Sequence, residues 1–247
     1  MKIFLALIIT SIFLNATTLN IAVAANVSYA IKELQVAFEK EHPDIKCHII
    51  LGSSGKLTAQ IEHGAPFHIF MSANMRYPER LYKNTNAITP PKVYAKGKIA
   101  LLFLKEQKSL SLTALQNATI KRVAIANPKT APYGVAAKEA LTNAKLYKKL
   151  KPKFIYGESI AQTLSYTISA ADAGIIAASA LYSPKMSRFK EGKEWINIDT
   201  QYYEPIEQGI VILKSGAKMP AAQQFYDFIL SKKAASIFLA YGYLPSE

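Results

Sequence analysis

Four short stretches of the chain place small polar residues where an apolar run gives way to a helical pattern: Ala25-Asn26-Val27-Ser28, Gly52-Ser53-Ser54-Gly55, Pro132-Tyr133-Gly134 and Gly157-Glu158-Ser159-Ile160. A helix that starts at such a junction presents first-turn N–H groups with no intrahelical acceptor, together with the positive end of its dipole. Several such ends converging make an anion site with no Lys or Arg in contact. Asn26, Ser54 and Tyr133 add side-chain donors, and the junction ending at Ile160 adds backbone ones. Ser and Asn are also ordinary helix caps, and Gly is ordinary in turns, so one junction alone says little. Four in one chain, two in each half, point to a shared site.

Other chemistries find less support. Gly52-Ser53-Ser54-Gly55-Lys56 has the flavour of a phosphate loop, but the nucleotide motif needs Gly-Lys followed by Ser or Thr; here Leu57 follows, and the first glycine is displaced. The histidines His42, His48, His63 and His68 all fall in the first third. They show no paired spacing on one helix for zinc and no place in a nucleophile–base motif. The chain is therefore expected not to be an enzyme and to hold no resident cofactor. Tyr202-Tyr203, with Glu204 and Glu207 close by, is the one constellation suited to capture of ferric ion by phenolate. Alternate strand residues point to opposite faces, so only one of the pair need face a cleft, and aromatic packing in a half-buried strand is the simpler expectation. Glu158 is the only acid at a junction, and a carboxylate in a helix first turn is at home there. Donors without acceptors suit an anion that carries no proton. Phosphate, which keeps one through much of the neutral range, gains from a carboxylate partner.

The elements that would position these junctions alternate along the chain. Strands are expected at Thr18–Ala25, Lys46–Leu51 and His68–Ser72, with helices after each, the first carrying Ile31, Leu34 and Phe38 at helical spacing. The alternation indicates βαβ units and a mostly parallel sheet. A second set follows: strands at Lys98–Leu104, Lys121–Ala126, Lys153–Tyr156, Ala173–Ala178 and Trp195–Asp199, with helices from Tyr133 and Glu158. Ile206–Leu213 is a further strand, and two helices carrying Phe225, Phe228, Ile237 and Phe238 end the chain. The expected fold is α/β and two-lobed, each lobe a mostly parallel sheet flanked by helices, with the ligand cleft between them. The breaks at Pro90–Gly97 and Thr200–Pro205 divide it into a first lobe over 17–95, a second over 96–202 and a return to the first over 203–247. Clefts between domains are favoured ligand sites.

Composition sets the outer bounds. The chain is 50% hydrophobic and 19% charged, a globular balance. Lys2 followed by the apolar Ile3–Leu14 and a small-residue exit reads as a secretory signal over 1–16, cleaved near Ala16; the run is shorter than the roughly 20 residues of a membrane span. A periplasmic location is expected. The lone Cys47 then has no internal disulfide partner, and its apolar surroundings make it a buried strand residue. A formal charge of +13 would steer anions toward the protein, although a generally basic composition accounts for it equally well. Scattered lysines and export argue against a nucleic-acid partner.

The stretch Gly52–Ala73 resembles the periplasmic molybdate-binding proteins of ABC transporters, which are type II solute-binding proteins. It carries Gln60-Ile61-Glu62-His63-Gly64-Ala65-Pro66 and Ser72-Ala73 after the serine turn. Ala126-Asn127-Pro128, Pro132-x-Gly134, Ala137–Leu141, Gly174-Ile175-Ile176, Phe225–Phe228 and Ala235–Gly242 extend the likeness over the whole mature chain. The resemblance implies an extracytoplasmic monomer that takes molybdate or tungstate and docks on membrane permease subunits. It also implies oxyanion contacts at Asn26, Ser54, Tyr133 and the Ile160 backbone N–H. Ala178 falls where some members have a ligand tyrosine, and Tyr133 is expected to supply the missing hydroxyl from the other side of the anion. A sulfate-like oxyanion, or ferric ion at Tyr202/Tyr203, is the alternative cargo.

Overall fold

In a computed structural model, which describes residues 16–246, the chain leaves one sheet, builds a second and returns. The signal segment read from the sequence lies outside the described residues except for Ala16. The first passage forms β1 (Thr17–Ala24), α1 (Ile31–Glu41), β2 (Ile45–Gly52), α2 (Ser54–Glu62), β3 (Ile69–Met71), α3 (Arg76–Lys83) and β4 (Lys92–Gly97). The second forms β5 (Ile99–Phe103), β6 (Val123–Ala126), α4 (Pro132–Asn143), α5 (Tyr147–Leu150), β7 (Phe154–Gly157), α6 (Ile160–Ala170), β8 (Ala173–Ala177), α7 (Ala178–Leu181) and β9 (Trp195–Asn197). The return adds β10 (Ile206–Ile212), α8 (Pro220–Ile229) and α9 (Lys232–Ala240).

The two five-stranded sheets share one plan. Their orders are β2-β1-β3-β10-β4 and β7-β6-β8-β5-β9, and in each the fourth strand alone runs against the others. The expected two-lobed, mostly parallel α/β fold is what the chain adopts. Each crossing joins the edge strand of one sheet to the reversed strand of the other: β4 to β5 through Lys98 alone, and β9 to β10 through residues 198–205.

Central strands are covered on both faces, which is why they read as unbroken apolar runs. Along β5, Ile99, Leu101 and Phe103 enter one core while Ala100 and Leu102 enter another. Along β1, Leu19, Ile21 and Val23 face the core under α1, α8 and α9, and Ala22 faces the opposite one with Leu57 and Phe70. Cys47 lies on β2, buried as expected.

Two readings are corrected. Residues 90–97, read as a break, hold β4, which pairs antiparallel with β10 and buries Tyr94 and Ala95. Lysines at 92 and 96 hide its apolar alternation. Tyr202, read with Tyr203 as part of a half-buried strand, instead ends a 3₁₀ turn over Thr200–Tyr202.

Candidate functional site

The four junctions come together. Asn26, in the 3₁₀ turn after β1, and Ser54, at the start of α2, face Tyr133 at the start of α4 and Ile160 at the start of α6. With Ala25, Ser53 and Pro132 they line a small, partly open cavity between the lobes. Both lobes contribute. No Asp, Glu, Lys, Arg or His lines it.

Each donor is held from behind. Ser54 Oγ accepts the Ala73 N–H at 2.9 Å, which leaves its own proton free to point elsewhere. Thr58 Oγ1 bonds the Ser54 carbonyl at 2.8 Å and pins the first turn of α2. On the opposite lobe, Ser159 caps α6 by accepting the Gln162 N–H at 3.2 Å, and Pro132 opens α4 with the φ a first turn requires. The amides of Ser54, Tyr133 and Ile160 thus stand in first turns, where no carbonyl lies one turn earlier.

Asn26 and Tyr133 are bound into a polar network that no local pattern announced. Asn26 is 0% exposed. Its Nδ2 donates to Gln208 Oε1 at 2.7 Å, to the Tyr243 hydroxyl at 3.0 Å and, at 3.4 Å, to the Tyr133 hydroxyl. Gln208 Nε2 bonds the Ile206 carbonyl at 2.9 Å, which fixes which end of the Gln208 amide faces Asn26. Tyr243 and Ser179 both donate to the Asn26 carbonyl, at 2.8 and 3.0 Å. Asn26 Oδ1 is buried without a partner among the described residues. The side-chain nitrogen expected to meet a ligand is therefore already engaged within the protein. The Tyr133 ring is 1% exposed, and burial holds its hydroxyl well above the usual phenol range, so it stays neutral. That hydroxyl rests against Gly97 at the end of β4; any side chain at 97 would collide with it.

The remaining candidates lie elsewhere. Ala178 is fully buried, its N–H bonded to the Lys98 carbonyl at 2.9 Å, and it does not line the cavity. Tyr203 is buried with its hydroxyl accepting the Ile99 N–H at 3.3 Å, and neither it nor Tyr202 reaches the cavity. Among the described residues no group of three His, Cys, Asp or Glu could hold a metal ion. The ferric alternative has no support here. Glu158 stands outside, with Lys56, Gln60 and Gln162, in a polar vestibule that shares Ser53 with the inner cavity.

Residues 19–244 match the family described as bacterial extracellular solute-binding protein. The chain belongs to this family. This solute-binding protein is 35% identical over 235 residues to the molybdate-binding protein ModA of Azotobacter vinelandii, covering 92% of this chain and 90% of the relative. It is 33% identical to the molybdate-binding protein ModA of Rhodobacter capsulatus, over 90% of this chain and 86% of that one. The solved structure of the Azotobacter vinelandii periplasmic molybdate-binding protein superposes with a TM-score of 0.84 at 33% identity, over 92% of this chain and 98% of that one.

Proposed function

We propose that this solute-binding protein captures a fully deprotonated tetrahedral oxyanion, molybdate or tungstate, and delivers it to the permease subunits of an ABC transporter. One observation carries the reading: a small, partly open cavity between the lobes, lined by helix starts and serine residues and by no ionisable carboxylate, ammonium or imidazole. Such a lining stabilises a dianion through donors alone and offers no carboxylate to accept a proton. The named specificity of the Azotobacter and Rhodobacter relatives points the same way.

In this reading the anion meets the Ser54 hydroxyl and the backbone N–H groups at Asn26, Ser54, Tyr133 and Ile160, with the neutral Tyr133 phenol behind them. The two lobes, 17–97 with 206–246 against 99–197, turn about their two crossings. The anion selects the closed state because only there do donors from both sides reach it. The protein works as an exported monomer, its cargo is its only ligand, and it performs no reaction.

Calorimetric titration of the mature protein with molybdate, tungstate, sulfate, phosphate and ferric ion side by side tests this. Molybdate and tungstate should each saturate one site per chain and outcompete phosphate. Binding of ferric ion alone, or of phosphate above molybdate, would overturn it.

A further inference from the structure

One backbone hydrogen bond crosses the mouth of the cleft: the Gly55 N–H of α2 donates to the Thr130 carbonyl in the loop before α4 at 3.0 Å. Its position matters more than its energy. Ser54 and Ala131 line the anion cavity, and Gly55 and Thr130 are the next residues along from each, just outside it. The bond therefore fixes how far apart the two walls stand, one peptide away from the ligand. Both ends are stiff. The first turn of α2 is held by Ser54 Oγ on Ala73 and by Thr58 on the Ser54 carbonyl. The loop is held by Ala131 N–H on the Asn127 carbonyl at 2.9 Å and by Lys129 N–H on Asn127 Oδ1 at 3.0 Å. Thr130 Oγ1 adds a long bond to the Glu158 carbonyl at 3.4 Å, linking this loop to the one before α6. Only glycine permits the approach: a Cβ at 55 would stand 2.8 Å from the Tyr77 hydroxyl and 2.9 Å from the Thr130 carbonyl oxygen.

We infer that the Gly55–Thr130 bond is a gauge: it stops lobe closure at one separation and thereby selects the anion by size, making Gly55 a specificity-determining residue outside the ligand shell. This rests on the oxyanion reading above. A hydrogen bond of this kind tolerates only a few tenths of an ångström, and that is the scale on which sulfur–oxygen bonds are shorter than molybdenum–oxygen bonds. With the gauge set, a smaller anion cannot draw the walls closer, and its oxygens fall short of one set of donors.

The test compares wild type with Gly55→Ala, in which the methyl wedges the mouth open. Alanine is the better helix residue, so α2 itself is not weakened. Molybdate affinity, by calorimetry, should fall roughly tenfold or more, the cost of losing donors on one wall. Sulfate affinity, by displacement of molybdate, should fall less, so that the ratio between the two anions shrinks while the melting temperature of the empty protein holds. Gly55→Ala/Tyr77→Phe, which removes one of the two clashing atoms, should recover part of the ratio. In the wild type, exchange of the Gly55 amide hydrogen should slow on addition of molybdate. An unchanged ratio in Gly55→Ala, or a Gly55 amide that exchanges equally fast with and without molybdate, would overturn the gauge. A wild type that binds neither anion would instead remove the oxyanion reading, and the gauge with it.

Discussion

The two lobes are built on one strand plan but hold their share of the site differently. The first lobe fixes its junctions by side chains: Ser54 on Ala73, and Asn26 among Gln208, Tyr243 and Tyr133. The second offers capped helix ends, Ser159 ahead of Ile160 and Pro132 ahead of Tyr133, and sends one large side chain, Tyr133, across to the first. The first lobe is the template, in which a change of one polar atom disturbs several neighbours. The second faces it with helix starts, and Tyr133 is its one aromatic side chain at the cavity.

That contrast can be broken most severely at the point where the lobes share space. Gly97→Val should drive the Tyr133 hydroxyl from its seat, costing about 2–3 kcal/mol of stability through overpacking and abolishing measurable anion binding, read by thermal denaturation and calorimetry. Wild-type binding in that variant would mean that Tyr133 does not organise the cavity. Next comes Ser54→Ala, which removes a side-chain proton free to point at the anion and should cost about 1.5–3 kcal/mol of binding, together with about 1–3 kcal/mol of stability because the buried Ala73 N–H loses its acceptor. Tyr133→Phe should cost less binding, about 0.5–1.5 kcal/mol, because its hydroxyl belongs to the network behind the cavity. The reverse order of these two would make Tyr133 the principal donor.

Smaller effects separate the lobes by pH. Asp172, before β8 of the second lobe, is 7% exposed; burial raises its pKa, but the Lys105 ammonium at 2.7 Å and the Arg122 and Lys121 amides overcome this and hold the carboxyl at about 2. Its folded pKa lies below the unfolded one, so its contribution is complete above about pH 4 and disappears as pH falls toward 2. Asp172→Asn should therefore lower stability by about 1–2 kcal/mol at neutral pH, with the difference from wild type closing in acid and anion affinity untouched. Urea denaturation across that range reads it. The smallest effect falls in the first lobe, where burial pushes the Cys47 thiol up to about 12. A disulfide reagent should leave it unmodified in the native protein and react on unfolding.

What could be read from the sequence follows the reach of each interaction. β5 and β8 were legible because burial on both faces leaves a run of apolar residues, and the junctions were legible because helix starts use a short list of residues. β4 was not: Lys92 and Lys96 bracket two buried residues, and only pairing with β10, more than 100 positions later, makes it a strand. The partners of Asn26 were equally hidden, since Gln208 and Tyr243 lie 182 and 217 positions away. Nothing in a local pattern tells a buried glutamine in β10 from an exposed one. For the same reason Asn26 was assigned a free side-chain nitrogen when its own fold consumes it.

The placement of β10 between β3 and β4 has a consequence for how the chain comes together. A nascent chain holds β1 to β4 long before residues 206–212 emerge, and until then β3 and β4 flank a missing rung with unpaired edges on either side. The sheet over residues 99–197 is continuous and can close first; the other must wait for the C-terminal arm to slot in as its last piece. Such a polypeptide stays incomplete until its synthesis is nearly finished, its first sheet closed by the arm that leaves the ribosome last.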